Sequence, residues 1–357
     1  LVGALAGPIG CLIMPDGAPR EIGTAFLRVM ALGGFGTIYV ALAVAILRAW
    51  GDAVRPLIVV AVMSVSTLVL ELIVLLGLFG VEPRGVVAAA WITVVVRALS
   101  ALVLVWMISR HIALWPAQGE RFINCSALIS QVRLGLTAAC QQVVRLVGLL
   151  VLLGLTSSRF GEAGYTAVNI WIKLDLTVLL TAFAWAGAAA PLVGMGLGAE
   201  RLNFSRRAAW GSVFWAVLTS VLATVIVLST CGPFVAAFVP DDPTVVELTK
   251  TVLQFAAPAY LLLSSGIVIS GAYNGAGDMK TPLLWDLGTL LFVQSLLAFF
   301  FATPDGMGLA GIGLAVLISR CLQGLVPMYL LRRAHWLRAI HKGYRPQHER
   351  SGDNSRS

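Results

Sequence analysis

Glu71 is the residue whose type and surroundings best fit ion-binding chemistry. It stands inside a long apolar run, 15 residues after Pro56, and Thr67 precedes it by one helical turn. A carboxylate at bilayer depth costs about 3 kcal/mol on insertion scales, so it persists where it faces the protein interior or a wet cavity. Because residues four apart share one face of a helix, the carboxylate and the hydroxyl point the same way. The pair predicts a site for a cation or a proton, and the alternative is that Glu71 is a buried structural partner of Arg97.

A second group of polar side chains stands in other apolar runs and could contact a substrate. Two of them, Lys173 and Asp175, are two positions apart on one predicted helix, so their side chains point in different directions and need other partners. Two glutamines and an asparagine offer uncharged hydrogen-bonding groups. Hydrogen bonding between helices is the structural alternative for every member of the group. The predicted cavity residues are Lys173, Asp175, Asn169, Gln141 and Gln142.

Three further charged residues are predicted to be structural. Asp286 lies near the start of its apolar run, within reach of the membrane interface. Arg97 and Arg320 occupy corresponding positions of an internal repeat, and duplication preserves packing more readily than substrate contacts. The cysteines are scattered and the histidines show no ligand spacing, so we predict no disulfide framework, no metal site and no cofactor.

The composition is typical of a membrane protein. Hydrophobic residues make up 59% of the chain and charged residues 12%, with a mean hydropathy of +0.90. A water-soluble domain of this composition would expose too much apolar surface. The net charge of +8 comes from short loops and the C-terminal tail, not from a stripe on one folded face, so we predict lipid contacts and no nucleic-acid partner.

The sequence predicts nine complete membrane-spanning helices and one partial span. A bilayer core of about 30 Å needs ~20 apolar residues per helix, and an open sheet could not satisfy its backbone in lipid. The partial span is Leu1–Met14. The complete spans lie at roughly 22–47, 56–80, 85–109, 129–155, 164–192, 208–230, 244–272, 282–302 and 308–331.

An internal repeat relates the two parts of the chain. Leu47–Leu57 returns as Tyr273–Leu283, and Gly85–Arg97 corresponds to Gly308–Arg320. Such duplication inside a membrane protein is typical of transporters. Both copies contain Gly-Asp-x-x-x-Pro, in which glycine ends a helix, aspartate caps the next one and proline fits its first turn. We therefore predict structural cytoplasmic turns at Gly51, Asp52 and Pro56, and at Gly277, Asp278 and Pro282.

The register of the repeat and the distribution of cations predict the domains and the orientation. Leu1 aligns near Ile226 of the second copy, so we expect the first two helices and part of the third of a six-helix unit to be missing. Most cations fall in loops on one side, which the positive-inside rule assigns to the cytoplasm together with the C-terminus. The predicted regions are an incomplete bundle at 1–115, a cytoplasmic linker at 116–128, a six-helix bundle at 129–333 and a basic, disordered cytoplasmic tail at 334–357.

The motifs resemble those of the multidrug and toxic compound extrusion (MATE) family. The resemblance rests on the two Gly-Asp-x-x-x-Pro turns, on Arg133-Leu-Gly-Leu opening the second half, and on the glycine-rich passage Pro191–Ala199. It implies an all-α integral membrane protein built from two homologous helical bundles, related by a pseudo-two-fold axis along the membrane normal. About 10 of the family's 12 expected transmembrane segments would be present here.

The same resemblance implies roles for individual residues. Glu71 falls where one branch of the family places an aspartate of its N-lobe cation site, Thr67 falls on an asparagine of that site, and Thr93 falls on a threonine of the next helix. The other branch carries acidic residues in its C-lobe, at positions that here correspond to Arg145 and Leu263. The C-lobe cation site is therefore expected to be absent, and Arg145 joins the predicted cavity residues.

Three hypotheses follow for function. The first is an antiporter of the plasma (inner) membrane that exchanges protons or sodium at Glu71 for organic, cationic and amphipathic small molecules by alternating access, acting as a monomer. The second is an exporter or flippase of an anionic or lipid-linked substrate, because membrane-embedded arginines and lysine outnumber the acids. The third is a membrane enzyme or a non-transporting subunit, which the sequence disfavours because it contains no recognisable catalytic motif.

Overall fold

The computed structural model describes residues 18–77, 85–111, 125–238, 243–303 and 306–333. Within these ranges the chain is helical, with no strand, which confirms the predicted all-α fold. The predicted span Leu1–Met14, most of the predicted linker and the tail 334–357 lie outside the described residues. The chain divides into two compact units, unit 1 at Leu1–Ile123 and unit 2 at Asn124–Ser357.

The described part of unit 1 consists of three helices, α1 Ala18–Ala49, α2 Val54–Leu76 and α3 Val86–His111. Helix α3 packs along α1 and also against α2. Gly36 of α1 lies against the backbone of α3, which lets the two helices approach closely. Apolar side chains of α1 and α3 form a small buried cluster, which consists of Val40, Ala43, Leu47, Ala101, Leu104 and Ile108.

Unit 2 begins with α4 Cys125–Gly198, a run of 74 residues. An α-helix rises 1.5 Å per residue, so this run is far too long for a single crossing of a bilayer. Gly161 interrupts it with φ 62° and ψ −154°, a conformation that glycine adopts without a Cβ penalty. Two helices therefore meet at Gly161, and the two predicted spans at 129–155 and 164–192 are joined by a sharp bend instead of a loop.

The described remainder of unit 2 consists of six helices, one 3₁₀ turn and one π-helical stretch. Helix α5 is followed by α6, a single 3₁₀ turn and α7, and then by α8, a π-helical stretch and α9 before the last helix, α10. The bounds are α5 Leu202–Phe238, α6 Pro243–Ala256, the 3₁₀ turn Ala257–Ala259, α7 Tyr260–Gly275, α8 Lys280–Asp286, the π-helical stretch Leu287–Gln294, α9 Ser295–Phe301 and α10 Leu309–Arg333.

The described helices are long and apolar enough to cross a membrane. Eight continuous stretches meet that condition within the described residues, and the longest of them, Leu128–Gly198, contains the bend at Gly161. Each of the nine complete spans predicted from the sequence falls largely within these stretches. The predicted fold class, an all-α integral membrane protein, is therefore confirmed.

Helix α7 lies at the centre of unit 2, where it packs against α4, α5 and α10. Gly271 and Gly275 place the α7 backbone directly on the backbone of Ala186 and Ala190 in α4, because a Cβ at either glycine would overlap these residues. Gly324 of α10 makes a similar close approach to α7. Small residues at such contacts allow helices in a membrane to approach closely.

The two repeated turns have the same local structure. Gly51 and Gly277 have φ values of 89° and 81°. The Asp52 carboxylate accepts the backbone N–H of Arg55 at 3.1 Å, and the Asp278 carboxylate accepts the backbone N–H of Thr281 at the same distance. The prolines, Pro56 and Pro282, are both buried in the first turn of the next helix.

Candidate functional site

The Glu71 carboxylate of unit 1 joins two adjacent helices. Thr93 of α3 donates its hydroxyl hydrogen to Glu71 Oε1 at 2.6 Å, and both side chains are half-buried. The Thr67 hydroxyl donates instead to the carbonyl oxygen of Met63 in its own helix, at 2.9 Å. The structure thus brings Glu71 and Thr93 together, whereas Thr67 stays one turn away on the same helix.

Glu71 has no ion pair within the part of the chain that the structure describes. Arg97, the partner that the structural alternative requires, donates from Nη1 to the Thr37 hydroxyl at 2.9 Å. Arg97 therefore ties α3 to α1. Glu71 is a half-buried carboxylate that accepts a hydrogen bond from a neutral hydroxyl, and such an oxygen pair can bind a proton or a small cation.

In unit 2, Asp175 and Arg320 form a buried ion pair. The guanidinium binds the carboxylate with two hydrogen bonds, from Nη1 to Oδ1 at 2.5 Å and from Nη2 to Oδ2 at 2.7 Å. The same guanidinium lies over the ring of Trp171, at 5.2 Å from its centroid, and over the ring of Tyr260, at 5.4 Å. Both oxygens of Asp175 are engaged, so the carboxylate is neutralised within the protein.

A second acid of unit 2, Asp286, is fully buried. Its Oδ2 accepts hydrogen bonds from Arg145 Nε at 3.0 Å and from Gln141 Nε2 at 2.8 Å, and Arg145 Nη2 lies 2.9 Å from the same oxygen. Its Oδ1 accepts from Gln323 Nε2 at 2.6 Å. The sequence placed Asp286 within reach of the membrane interface, whereas the structure makes it the acceptor that joins α4, α8 and α10.

These polar groups border two adjoining cavities inside unit 2. The first has a volume of about 340 Å³, and the second has a volume of about 450 Å³. Gln142 and Arg145 line both of them. The first cavity is also lined by Asp175, Gln294, Arg320 and Gln323, and the second by Gln141, Ser270 and Asn274.

The predicted cavity residues separate into two groups. Four of them line one or both cavities, namely Gln141, Gln142, Arg145 and Asp175. Lys173 is exposed on the other side of its helix, and neither it nor Asn169 lines either cavity. The opposite directions expected for Lys173 and Asp175 are thus present in the structure.

Comparisons with known proteins agree with this architecture. Residues 135–300 match the protein-family model described as MatE. The chain resembles transporters of the MATE family. A protein of Thermotoga maritima named "Probable multidrug resistance protein NorM" is 23% identical over 324 residues, which cover 90% of this chain and 69% of that protein. "Uncharacterized transporter YisQ" of Bacillus subtilis is 22% identical over 330 residues, 91% of this chain and 70% of that protein.

Solved MATE structures share the fold. "Crystal structure of MATE in complex with MaL6" superposes with a TM-score of 0.84 at 18% identity, covering 96% of this chain and 75% of that one. The structure "Reverse polarity of binding pocket suggests different function of a MOP superfamily transporter from Pyrococcus furiosus" superposes with a TM-score of 0.81 at 18% identity, covering 95% of this chain and 75% of that one. MATE proteins are transporters and not enzymes, so the prediction that this chain is not an enzyme is confirmed.

Several residues that complete the polar network were missed in the sequence analysis. Gln323 binds Asp286, and Ser319 donates to Gln294 at 3.2 Å. A signal for them was present, because Ser319, Arg320 and Gln323 recur at helical spacing in an otherwise apolar run. Polar residues spaced in this way share one helix face, which marks the face turned toward other polar groups.

Proposed function

We propose that this protein exports small organic molecules across the membrane in exchange for a proton or a sodium ion, with Glu71 as the ion-binding carboxylate. Similarity to the MATE family supports transport, and the name of the Thermotoga relative, a probable multidrug resistance protein, supports small organic cargo. The identity of the ion and of the cargo belongs to the proposal.

The observation that carries the proposal is the contrast in how the intramembrane acids are paired. Asp175 and Asp286 are each bound by an arginine, whereas Glu71 has no ion pair within the described residues and bonds to the hydroxyl of Thr93. An exchangeable ion needs a carboxylate that is not already neutralised by a fixed cation. Glu71 meets that requirement and the other two do not.

The Glu71–Thr93 contact gives the ion a way to act on helix packing. With Glu71 ionised, the Thr93 hydroxyl donates to the carboxylate and joins α2 to α3. Proton or cation binding removes the negative charge from that contact, so it changes the relative stability of two arrangements of these helices. An ion that prefers one arrangement shifts the population toward it, and this shift is the coupling that antiport requires.

We also propose that the protein is a monomer in the plasma membrane with its C-terminus in the cytoplasm. The basic loop residues Arg48 and Arg55 beside the first repeated turn, and Lys280 beside the second, support this orientation through the positive-inside rule.

The test is gradient-driven transport by the purified protein in proteoliposomes. Norfloxacin and ethidium serve as cargo, with a proton gradient and a sodium gradient imposed in separate experiments. The variant Glu71→Gln removes the charge at nearly constant volume, and we expect gradient-driven transport to fall to the background of empty liposomes. The matched control is Glu162→Gln, which neutralises an exposed carboxylate and should transport like the wild type. Undiminished transport by Glu71→Gln, or no transport of either drug by the wild type, would contradict the proposal.

A further inference from the structure

Arg145 is bound to Asp286 through only one edge of its guanidinium. The group carries five N–H donors, and the Asp286 carboxylate accepts from Nε and Nη2. The remaining N–H donors of Arg145 have no hydrogen-bond acceptor among the described residues. The side chain is 21% exposed, whereas that of Asp286 is 1% exposed. The pair is neutral as a whole, but its accessible edge is the cationic one.

The two acids around the cavities, Asp175 and Asp286, are each neutralised by an arginine. Asp286 already accepts hydrogen bonds from Arg145, Gln141 and Gln323. Both oxygens of Asp175 are occupied by Arg320. The most strongly charged donor that the cavities present is therefore the free edge of Arg145. The amide of Gln142 lines the same two cavities, and the neutral side-chain oxygen of Asn274, which has no hydrogen-bond partner among the described residues, lines the second.

The apolar part of the lining suits a hydrophobic ligand body. Leucines, Phe183 and Trp171 surround the polar groups of the first cavity, and the Arg145 guanidinium lies 5.8 Å from the centroid of the Phe183 ring. Cavities of roughly 300–1,000 Å³ that combine apolar walls with a few polar groups are typical ligand sites. The first cavity, at about 340 Å³, fits one or two fused aromatic rings.

We infer that the cavity of unit 2 is a binding site for the carboxylate group of an amphipathic, aromatic substrate, anionic or zwitterionic, and that the free edge of Arg145 binds the carboxylate. Asp286 orients the guanidinium and Gln142 offers a further donor. As an assignment of substrate class, this inference rests on the proposed transport function. It replaces a fixed preference for organic cations with recognition of an acid group.

The test uses three probes that share one aromatic body and differ in head group: 2-naphthoate, 2-naphthamide and 2-naphthylmethylammonium. Their binding to the purified protein in detergent is measured by calorimetry, without an ion gradient. A charge-assisted hydrogen bond is roughly twice as strong as a neutral one, so we expect naphthoate to bind at least ~10-fold more tightly than either other probe. Equal or tighter binding of the ammonium probe would overturn the inference.

Two variants locate the effect at Arg145. Lysine retains the charge but not the planar fork, so Arg145→Lys should weaken naphthoate binding while keeping the preference for the anion. The double variant Arg145→Gln/Asp286→Asn removes both charges without leaving either buried and unpaired, and it should bind all three probes with similar affinity. Arg133→Gln, an exposed cation of the same helix, is the matched control and should bind as the wild type does.

The variants also separate misfolding from loss of the site. Unchanged binding of naphthamide shows that the double variant is folded, and a persistent preference for naphthoate in that folded protein would overturn the inference. If the double variant does not fold, the decision passes to Arg145→Lys, in which undiminished naphthoate affinity would overturn it. These measurements are independent of Glu71, so failure of ion-driven transport in proteoliposomes and failure of the anion preference are distinguishable results.

Discussion

The two units contain corresponding turns and corresponding arginines, but their intramembrane acids have different partners. In unit 1, Glu71 bonds to a hydroxyl, and the nearby arginine, Arg97, is directed to Thr37. In unit 2, the repeat-related arginine, Arg320, is bound to Asp175 by two hydrogen bonds. The arginine and the turns occur in both units, but the partner of the arginine differs, and an acid that the arginine does not bind stays available for an external ion.

The largest expected effect is on the folding stability of variants at the two corresponding arginines, Arg320 and Arg97. Replacing Arg320 with leucine leaves Asp175 buried without its partner, which costs about 3–5 kcal/mol in typical buried pairs. Replacing Arg97 with leucine removes one hydrogen bond to Thr37, which contributes about 1 kcal/mol. Unfolding of both variants in detergent, followed by tryptophan fluorescence, should therefore give a much lower midpoint for Arg320→Leu. Similar losses of stability in the two variants would contradict the claim that only Arg320 neutralises a buried acid.

A double variant tests whether the loss in Arg320→Leu comes from the unpaired charge of Asp175. Arg320→Leu combined with Asp175→Leu leaves no unpaired charge, so it should recover most of the stability lost in Arg320→Leu, because apolar replacement of a buried pair is often neutral. A double variant that is as unstable as the single one would mean that the pair is needed for reasons other than charge compensation.

A smaller loss is expected where helices of unit 2 meet through their backbones. Gly275→Ala places a methyl group against the carbonyl of Ala190, and overpacking of this kind costs about 1–3 kcal/mol. The control is Gly211→Ala on α5, where no atom lies within 4 Å of the added Cβ, so the better helix propensity of alanine should leave stability unchanged or slightly higher. Equal unfolding midpoints for the two variants would contradict the close approach.

The hydroxyls around Glu71 should differ in their effect on ion binding. Thr93→Val removes the donor that binds the carboxylate, so we expect about a tenfold change in the ion concentration that half-saturates transport, corresponding to ~1.4 kcal/mol. Thr67→Val removes a hydroxyl that bonds to its own helix, and its effect should be within twofold. A larger effect of Thr67→Val than of Thr93→Val would reverse the assignment of the site.

The smallest difference is expected between matched variants of the two repeated turns. Gly51→Ala and Gly277→Ala each force an alanine into a positive φ, at a cost of about 1–2 kcal/mol in the folded state. Since neither position has a neighbour within 4 Å of an added Cβ, the two losses should be nearly equal. Thermal unfolding in detergent measures them. A clear difference would show that the two turns are not equivalent.

Local chemistry was enough to predict the helices and both turns, because apolar length, glycine, aspartate and proline act over a few neighbouring residues. The ion pairs of unit 2 were not predictable in the same way. Asp175 and Arg320 are 145 residues apart in the sequence, and Arg145 and Asp286 are 141 apart. Their contact depends on the rotation of each helix about its axis, which an apolar run does not specify when it is hydrophobic on all sides. The bend at Gly161 was likewise predicted as a loop, because an unusual φ leaves little trace in composition.

The backbone contacts of Gly271 and Gly275 with Ala186 and Ala190 have a mechanical consequence for unit 2. Side chains can absorb relative sliding of two helices by changing rotamer, but two touching backbones contain nothing that can adjust. We therefore expect α7 and the adjoining part of α4 to shift as one rigid piece. The π-helical stretch Leu287–Gln294 also lines the first cavity, through Leu290 and Gln294. Its irregular winding makes it more deformable than the α4–α7 contact, so we expect changes in the shape of this cavity to arise there.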